Sequence, residues 1–344
     1  MKRGLLYGLA FFLAVVCIPM TAFSGNSEIK SDSQQEQEQV SQENASQPEA
    51  AGSSDSAAAQ DVFKLLLTDT GEVLELTASD YIKGVVAAEI PMTYEDEAIK
   101  AQAVAAHTYA LRMRDVQGTG SDASLNGADF SDDPSKYQAY VSREEFNEMY
   151  GDKAEEYWEK LNGLVDEVIG KVMLYEEEPI AAAFHSTSSG KTESAEIVWG
   201  SAYAYLVPVD STADQNAPTY QSETVLSFEE VSNALKTVYS DIALDGDKST
   251  LFQIKSASDS GTITSLSVGN KELSGVQLRS ILGLPSANFT VQYRAEDDSF
   301  VFTTRGLGHG VGMSQYGANQ LAKEGKNYEE ILTHYYTGIT LSDL

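Results

Sequence analysis

The residue with the clearest chemical potential is a glutamate at the end of an apolar stretch. Glu89 follows Val85–Ala88 and stands two residues before Pro91, so a lone carboxylate lies between an apolar helix face and a turn. Desolvation disfavours the charged form of such a group, and we therefore expect its pKa to be raised. A carboxylic acid that keeps its proton near neutral pH is the proton donor needed to cleave a glycosidic bond. The same pattern also fits a helix-end residue that points to water.

A second candidate site is the hydroxyl-rich loop of residues 181–200. Gly190 and Lys191 suggest a nucleotide-binding P-loop, but His185 stands where that motif requires its first glycine. The G-x-S-x-G elbow of serine hydrolases is also missing from this loop. Hydroxyl groups near the aromatic face of Trp199 suit the recognition of a sugar. A turn stabilised by its own serine and threonine side chains is the alternative.

A third candidate is the glycine-rich segment of residues 305–325. Gly306 and Gly308 match a dinucleotide-binding fingerprint, but Val311 replaces its third glycine, and too little chain follows to complete the βαβ unit. We therefore expect these glycines to let the backbone approach another segment closely. His309, which stands between two glycines, either reaches a cleft or hydrogen-bonds to backbone.

The composition excludes several classes of function. The 344 residues include 23 Lys and Arg against 52 Asp and Glu, a formal net charge of −29, and no basic patch stands out. A nucleic-acid-binding role is therefore not expected. The only cysteine is Cys17, and the four histidines show no spacing typical of metal ligands. We expect neither a metal ion nor an organic cofactor.

The N-terminus has the pattern of an export signal. Lys2 and Arg3 precede an apolar run, Leu5–Ile18, so residues 1–24 are predicted to be a signal peptide or a membrane anchor, and both remain open. Residues 25–60 contain no aromatic residue and are rich in Ser, Gln and Glu, which predicts a disordered acidic linker. The predicted location is the outer face of the cell membrane, or outside the cell if the signal is cleaved.

The remaining region, residues 61–344, is predicted to fold. Ser79 is a good N-cap for a helix that runs to about Ala88, and a second helix is expected from about Tyr94 to Arg114. Strand-like segments come in pairs, with few regular βαβ units. We therefore predict an α+β fold, in which mixed strands and helices surround a substrate groove, with a smaller α+β insertion at about 220–290.

Four blocks in this order resemble the stage II sporulation protein D family, a relative of the LytB-type amidase enhancers: YIKGVVAAEIP with EAIKAQAVAAHTYALR, FHSTSSGKTESAEIVWGS, SGVQLRSILGLPSANF, and GLGHGVGMSQYGANQLAKEGKNYEEILTHYYTGITL. The resemblance covers about residues 62–344. It implies a membrane-anchored lytic transglycosylase that cuts peptidoglycan glycan strands lacking stem peptides, during engulfment of the forespore. The family's catalytic glutamate falls on Glu89. The implied partners are stage II sporulation protein P, which strips stem peptides, and protein M, a membrane scaffold.

The chain departs from the family pattern in two places. The family often has arginine where this chain has His107. Some members also carry a zinc-binding Cys/His loop where this chain reads DFSDDPSKYQAY, with Ser131, Lys136 and Tyr137 at the positions where ligands would fall. We therefore expect no zinc, while the chemistry of the glutamate is retained.

In the implied mechanism, protonated Glu89 donates to the oxygen between N-acetylmuramic acid and N-acetylglucosamine. The ionised carboxylate then takes the proton of the C6 hydroxyl of the same muramyl ring, and a 1,6-anhydro product closes without a second carboxylate. The side chains expected to line the groove are His185, Ser186, Ser188, Lys191, His309 and Gln315. The alternatives are a non-catalytic wall-binding enhancer of a separate amidase, a lysozyme-type hydrolase that pairs Glu89 with Glu193, and a structural scaffold.

Overall fold

A computed structural model describes residues 61–118 and 122–344 of the chain. The predicted signal or anchor (1–24) and the predicted linker (25–60) lie outside these residues. Within the described residues, the α-helices are α1 (Ala78–Glu89), α2 (Asp96–Gly118), α3 (Arg143–Tyr150), α4 (Ala154–Val168), α5 (Ala195–Trp199), α6 (Phe228–Val238), α7 (Gly275–Leu282), α8 (Gln315–Lys323) and α9 (Tyr328–Tyr335).

The strands form several small sheets rather than one large one. They are β1 (Val62–Leu66), β2 (Val73–Thr77), β3 (Phe130–Ser131), β4 (Lys171–Tyr175), β5 (Glu178–Pro179), β6 (Phe184–His185), β7 (Gln221–Ser227), β8 (Phe252–Ala257), β9 (Ile263–Val268), β10 (Lys271–Leu273), β11 (Phe289–Arg294), β12 (Ser299–Arg305), β13 (Met313–Ser314) and β14 (Thr340–Asp343). The sheet orders are β2-β1-β3, β10-β9-β8, β11-β12-β7, β13-β6 and β14-β4-β5. The predicted α+β class is confirmed.

The long helix α2 lies at the centre of the larger hydrophobic core. It packs against helices α1, α4, α8 and α9. Its alanine-rich stretch AQAVAAHTYA is buried throughout, from Ala101 to Ala110. Small side chains let neighbouring helices approach closely, because the distance between helix axes depends on the side chains at the contact. A polar side chain within this stretch is therefore forced into the interior.

A second cluster of buried hydrophobic side chains runs from Val231 to Phe302. It is formed by helices α6 and α7 with strands of the sheets β10-β9-β8 and β11-β12-β7. The strand β12 then leads into the glycine-rich segment and back to the larger core. The division of the chain into a main region and an insertion at about 220–290 stays a prediction.

The N-terminus of helix α1 differs from the prediction. Its N-cap is Thr77, whose hydroxyl accepts from the backbone N–H of Asp80 at 3.1 Å. Ser79, the expected N-cap, lies inside the first turn and donates to Asp166 of α4 at 2.8 Å. The helix therefore begins earlier than predicted, because the threonine satisfies a free N–H of the first turn and the serine serves a tertiary contact.

The predicted location at the cell membrane is corrected by the structure. Within residues 61–118 and 122–344, no helix combines the length and the apolar character needed to cross a bilayer. The segment on which that prediction depended, residues 1–24, lies outside the described residues.

Candidate active site

Glu89 is the last residue of helix α1 and is held in the interior. The next residue, Ile90, is extended (φ −135°, ψ 149°), and its N–H still bonds to the carbonyl of Val86. The chain leaves the helix here because a residue before proline disfavours helical backbone, and Pro91 follows. All residues of α1 except Asp80 are buried, and Glu89 retains only 9% exposure. The carboxylate thus points into the protein rather than to bulk water.

Two uncharged donors contact the Glu89 carboxylate. The backbone N–H of Ala139 donates to Oε1 at 3.3 Å, and the amide Nε2 of Gln315 donates to Oε2 at 3.4 Å. Burial raises the pKa of Glu89 to about 7, against the opposing effect of these two hydrogen bonds. Desolvation outweighs the hydrogen bonds because both are long and neither donor carries a charge. The carboxyl group can therefore carry its proton near neutral pH.

A set of buried polar side chains surrounds this carboxylate. Gln315 Nε2 also lies 3.5 Å from Gln102 Oε1, so one amide contacts both residues. Three further polar atoms, Gln102 Nε2, Gln138 Nε2 and the Tyr109 hydroxyl, are buried without a hydrogen-bond partner among the described residues. Buried polar atoms normally have partners, so these groups make the surroundings of Glu89 polar although they carry no charge.

His185 and His309 lie side by side, with ring centroids 5.6 Å apart. The backbone of Val311 fixes both rings, because its carbonyl accepts from His185 Nδ1 at 3.1 Å and its N–H donates to His309 Nδ1 at 3.0 Å. Burial lowers the pKa of His185 to about 4 and lowers that of His309 as well. Both rings are therefore neutral, with the proton on Nδ1 in His185 and on Nε2 in His309.

The glycine-rich segment packs directly against the hydroxyl-rich loop, as predicted from its glycines. Strand β13 pairs in parallel with β6, so Ser314 lies opposite His185. A Cβ on Gly308 would lie 2.8 Å from the Cβ of His185, and one on Gly312 would lie 2.0 Å from the carbonyl oxygen of Ala183. Both glycines also have positive φ angles. Only glycine permits this approach.

A polar cleft lies where these two segments meet the part of the chain that carries the second hydrophobic cluster, residues 221–305, which we call the second-core region. Three of the predicted groove residues, Ser188, Lys191 and His309, line it. Ser186 lies beside it, because its neighbour Thr187 pairs with Leu307 of the glycine-rich segment. The cleft encloses about 20 Å³, room for a water molecule. We call it the Lys191 cleft.

Asp214 holds the region between the Lys191 cleft and helix α8. This fully buried carboxylate accepts from the backbone N–H of Ser188 at 2.7 Å and from the Ser314 hydroxyl at 2.9 Å. Burial raises its pKa, and the serine donors oppose that rise. Ser314 is also the N-cap of α8, where its oxygen accepts from the N–H of Gly317. Gln315, which contacts Glu89, is therefore placed by a capped helix start.

We expect Ser314→Ala to lower the free energy of unfolding by about 2 kcal/mol, because it removes a helix cap and one donor to a buried carboxylate. The measurement is urea-induced unfolding at pH 7. The matched control is Ser142→Ala, which removes the cap of the solvent-exposed helix α3, and we expect it to cost about 1 kcal/mol. Equal losses in both variants would contradict a structural role for the bond to Asp214.

The structure brings only one of the expected groove residues into contact with Glu89, namely Gln315. The other five lie at the Lys191 cleft. Ser188, Lys191 and His309 line it, His185 packs behind His309, and Ser186 lies beside it. Gln102 and the backbone N–H of Ala139 were not among the site residues expected from the sequence. Gln102 had a signal, since it is the one amide in an alanine-rich run, whereas a backbone donor from a distant loop leaves none.

Glu193, the second acid of the lysozyme-type alternative, has other hydrogen-bond partners. Glu193 is buried, and its carboxylate accepts from the backbone N–H of Ser194 and from the Ser258 hydroxyl. It therefore anchors the second-core region and is already hydrogen-bonded. No group of three or more potential metal ligands occurs within residues 61–118 and 122–344. The expectation that no zinc is used stays a prediction.

Comparison with known proteins gives the following similarities. A family model described as stage II sporulation protein matches residues 68–175. The chain is 34% identical to stage II sporulation protein D of Bacillus subtilis (strain 168) over 334 residues, which is 97% of this chain and 93% of that protein. It is 35% identical to the protein of the same name from Bacillus amyloliquefaciens, over 80% of this chain and 77% of that protein. It is also 27% identical to an amidase enhancer of Bacillus subtilis, over 76% of this chain and 40% of that protein.

Proposed function

This chain belongs to the stage II sporulation protein D family, and from that premise we propose that it is a lytic transglycosylase. Its substrate is peptidoglycan glycan strands that lack stem peptides, and its role is in forespore engulfment. It cleaves the bond between N-acetylmuramic acid and N-acetylglucosamine and leaves 1,6-anhydro ends. The observation that carries the proposal is the buried carboxyl group of Glu89, whose pKa is raised to about 7.

The proposed reaction uses Glu89 twice. Its protonated form donates to the glycosidic oxygen, and the bond to the muramyl C1 breaks as positive charge develops on that ring. The carboxylate then removes the proton from the C6 hydroxyl, whose oxygen attacks C1 of the same ring. Gln315 and the N–H of Ala139 hydrogen-bond the carboxylate in this ionised state. Proton transfer by such a positioned group contributes about 10²- to 10⁴-fold to a rate.

The electrostatics around Glu89 favour a single-carboxylate mechanism. A retaining glycosidase holds two carboxyl groups about 5–5.5 Å apart, and such a neighbour would raise the pKa by like-charge repulsion. The causes of the Glu89 shift are burial and two hydrogen bonds, with no charged partner among them. The attacking oxygen of a transglycosylase belongs to the substrate, so it needs no water-activating acid. This supports the transglycosylase over the lysozyme-type alternative.

The direct test is the mass of the products. Purified protein is incubated with glycan strands stripped of stem peptides, and the fragments are analysed by mass spectrometry. Anhydro-muramyl ends are expected. Reducing ends would instead indicate hydrolysis, and uncut strands would remove the enzymatic proposal.

Cleavage should fall about tenfold between pH 6 and pH 8, because the pKa of Glu89 is about 7 and only the protonated form can donate. The measurement is the initial rate of formation of anhydro ends across this range. In Gln315→Leu the hydrogen bond that lowers the pKa is lost, so the midpoint of the decline should move to higher pH. A rate that rises through this range would contradict the donor role.

One similarity favours a second candidate function. A relative that shares 27% identity bears the name amidase enhancer. The candidate is therefore a wall-binding protein that stimulates a separate amidase without cutting glycan itself. It predicts that amidase activity on intact walls rises equally with wild type and with Glu89→Gln, and that no anhydro ends appear.

We also propose, on the grounds of family membership, that the protein works with stage II sporulation proteins P and M. Protein P would supply the stripped strands on which this chain acts. Co-purification from sporulating cells tests these contacts.

A further inference from the structure

We propose that Lys191 and Arg305, the two cations at the solvent-facing edge of the Lys191 cleft, bind the free lactyl carboxylate of N-acetylmuramic acid. The inference rests on the proposed function, because it assigns part of the same glycan substrate to a second site on the protein. It names the chemical group by which stripped strands differ from strands that carry peptides.

The two cations of the cleft stand out in so acidic a chain. Lys191 and Arg305 both line it. The formal net charge is −29, and most basic side chains elsewhere in the described residues form ion pairs, such as Lys83 with Asp166 and Lys248 with Asp298. Neither Lys191 nor Arg305 has an ion pair within residues 61–118 and 122–344. Two basic side chains that line one cleft without an ion-pair partner suit an anionic ligand.

Two carboxylates near the cleft are occupied by other groups. Glu193 lines the cleft, but its oxygens accept from Ser258 and from the N–H of Ser194. Asp210 pairs with Lys191 through the backbone only, and its carboxylate accepts from the Thr212 hydroxyl. Neither acid forms an ion pair with Lys191, so the ammonium group is available to a ligand. The hydrogen bonds to Glu193 come from neutral donors and leave its carboxylate in the cleft lining, beside the two cations.

The neutral polar side chains of the cleft mostly bind backbone. The Ser189 hydroxyl donates to the carbonyl of Ser260, and the Ser260 hydroxyl donates to the carbonyl of Thr192. The Ser286 hydroxyl donates to the carbonyl of Arg305 at 2.7 Å. These bonds join the hydroxyl-rich loop to the second-core region and make the walls rigid. A rigid wall with cations at its surface limits the entropy lost when an anion binds.

The cleft and Glu89 are linked by hydrogen bonds from two adjacent residues of helix α8. Gln315 contacts the Glu89 carboxylate, and the N–H of its neighbour Tyr316 donates to the carbonyl of Ser186 at 3.0 Å. Ser186 is followed by Thr187 and Ser188, which line the cleft. The Glu89 site and the cleft are therefore parts of one hydrogen-bonded framework, and in the proposal a single glycan strand contacts both.

The chemistry of the substrate explains the assignment. In stripped strands each muramyl residue carries a free lactyl carboxylate, which is ionised at neutral pH. In strands with stem peptides the same carbon forms an amide, which has no charge. A site built on Lys and Arg distinguishes the two, because hydrogen bonds between ionised partners are stronger than those to an amide.

The experiment measures binding on full-length protein carrying Glu89→Gln, so that strands stay uncut. The ligands are short stripped glycan strands, the same strands with lactyl carboxylates converted to methylamides, and chitin oligosaccharides, which lack lactyl groups. Lys191→Met and Arg305→Met remove one cation each. Lys236→Met is the matched control, because Lys236 is exposed on α6 and outside the cleft.

Each cleft variant should weaken binding of carboxylate strands about tenfold and leave binding of methylamide strands unchanged, while Lys236→Met changes neither. Without any cleft substitution, the carboxylate strands should bind more tightly than the methylamide strands, and added salt should reduce the difference. Equal binding of the two strands, or equal losses on both in the cleft variants, would overturn the inference. If wild type cleaves carboxylate strands and methylamide strands at the same rate, this inference fails but the proposed function stands. Binding that depends on the carboxylate, with no anhydro product from wild type, would support this inference and contradict the proposed function.

Discussion

Glu89→Gln should lower the rate of glycan cleavage by about 10²- to 10⁴-fold, the range that a positioned general acid contributes. Glutamine has nearly the shape of glutamic acid but cannot donate or accept the transferred proton. It can still accept from Ala139 through its amide oxygen, and its amide group can bond to Gln315 if that side chain turns its own oxygen inward. The loss therefore reports the proton and not a collapsed site. The measurement is the initial rate of formation of anhydro-muramyl ends at pH 6.

The matched control is Glu193→Gln, which alters a second buried glutamate at the Lys191 cleft. We expect this variant to retain most of the cleavage activity. If both variants were equally inactive and the wild type left reducing ends, the lysozyme-type hydrolase would replace the transglycosylase. If Glu89→Gln released as much product as wild type, Glu89 would have no part in the reaction.

The same substitution should stabilise the folded protein by about 3 kcal/mol at pH 8, since the pKa rise from 4.5 to about 7 costs about 1.36 kcal/mol per unit. The folded state holds the Glu89 proton more tightly than the unfolded chain does. Below pH 4.5 the group is protonated in both states and costs the folded protein nothing. As the pH rises from 4.5 to 7, ionisation favours the unfolded chain and the free energy of unfolding falls. Glutamine carries no such penalty, so its advantage is full above pH 7 and vanishes towards pH 4.

Urea unfolding of wild type and Glu89→Gln between pH 5 and pH 8 measures this difference. His107 and His185, whose pKa values burial lowers to about 4, destabilise both proteins equally as the pH falls from 6.5 to 4, so they cancel. Glu144→Gln, which removes an exposed carboxylate, controls for the change in net charge. A gain that does not depend on pH, or a loss at pH 8, would contradict the buried-acid assignment.

Such a gain would reflect a general feature of active sites. A buried carboxylate without a cationic partner destabilises the fold, and it is retained where its proton is used. His107 is another buried titratable group, packed edge-on against Phe63. It lies where the family often has arginine, and its neighbours are the helix and strand core rather than the Glu89 carboxylate.

The local features of this chain were readable from short stretches of sequence. Pro91 ends helix α1, so the position of Glu89 at a helix end follows from its neighbours. The apolar run before it fitted burial as well as a side chain that points to water, and burial raises the pKa of a carboxyl group. The glycines of the 305–325 segment implied a close approach of two backbones, which the pairing of β13 with β6 provides. The helix end and the close approach depend on a few adjacent residues and were predicted, whereas burial of the Glu89 carboxylate was one of two alternatives.

The partners of these features were not readable in the same way. Gln315 is 226 residues from Glu89, and the donor N–H belongs to Ala139, in a loop 50 residues away. Even the N-cap of helix α1 is Thr77 rather than the predicted Ser79, because the Ser79 hydroxyl donates to Asp166 on another helix. Choices of this kind depend on which surfaces pack together, and local propensity carries no information about them.

The sequence by itself determined the α+β class, the acid at the end of an apolar helix and the family to which the chain belongs. Only the tertiary structure decided that Gln315 and Ala139 hold that acid, and that five other expected groove residues gather around a separate cationic cleft. The physical reason is that helix ends and glycine turns follow from adjacent residues. A side chain's hydrogen-bond partners follow from the packing of segments that are far apart in the chain.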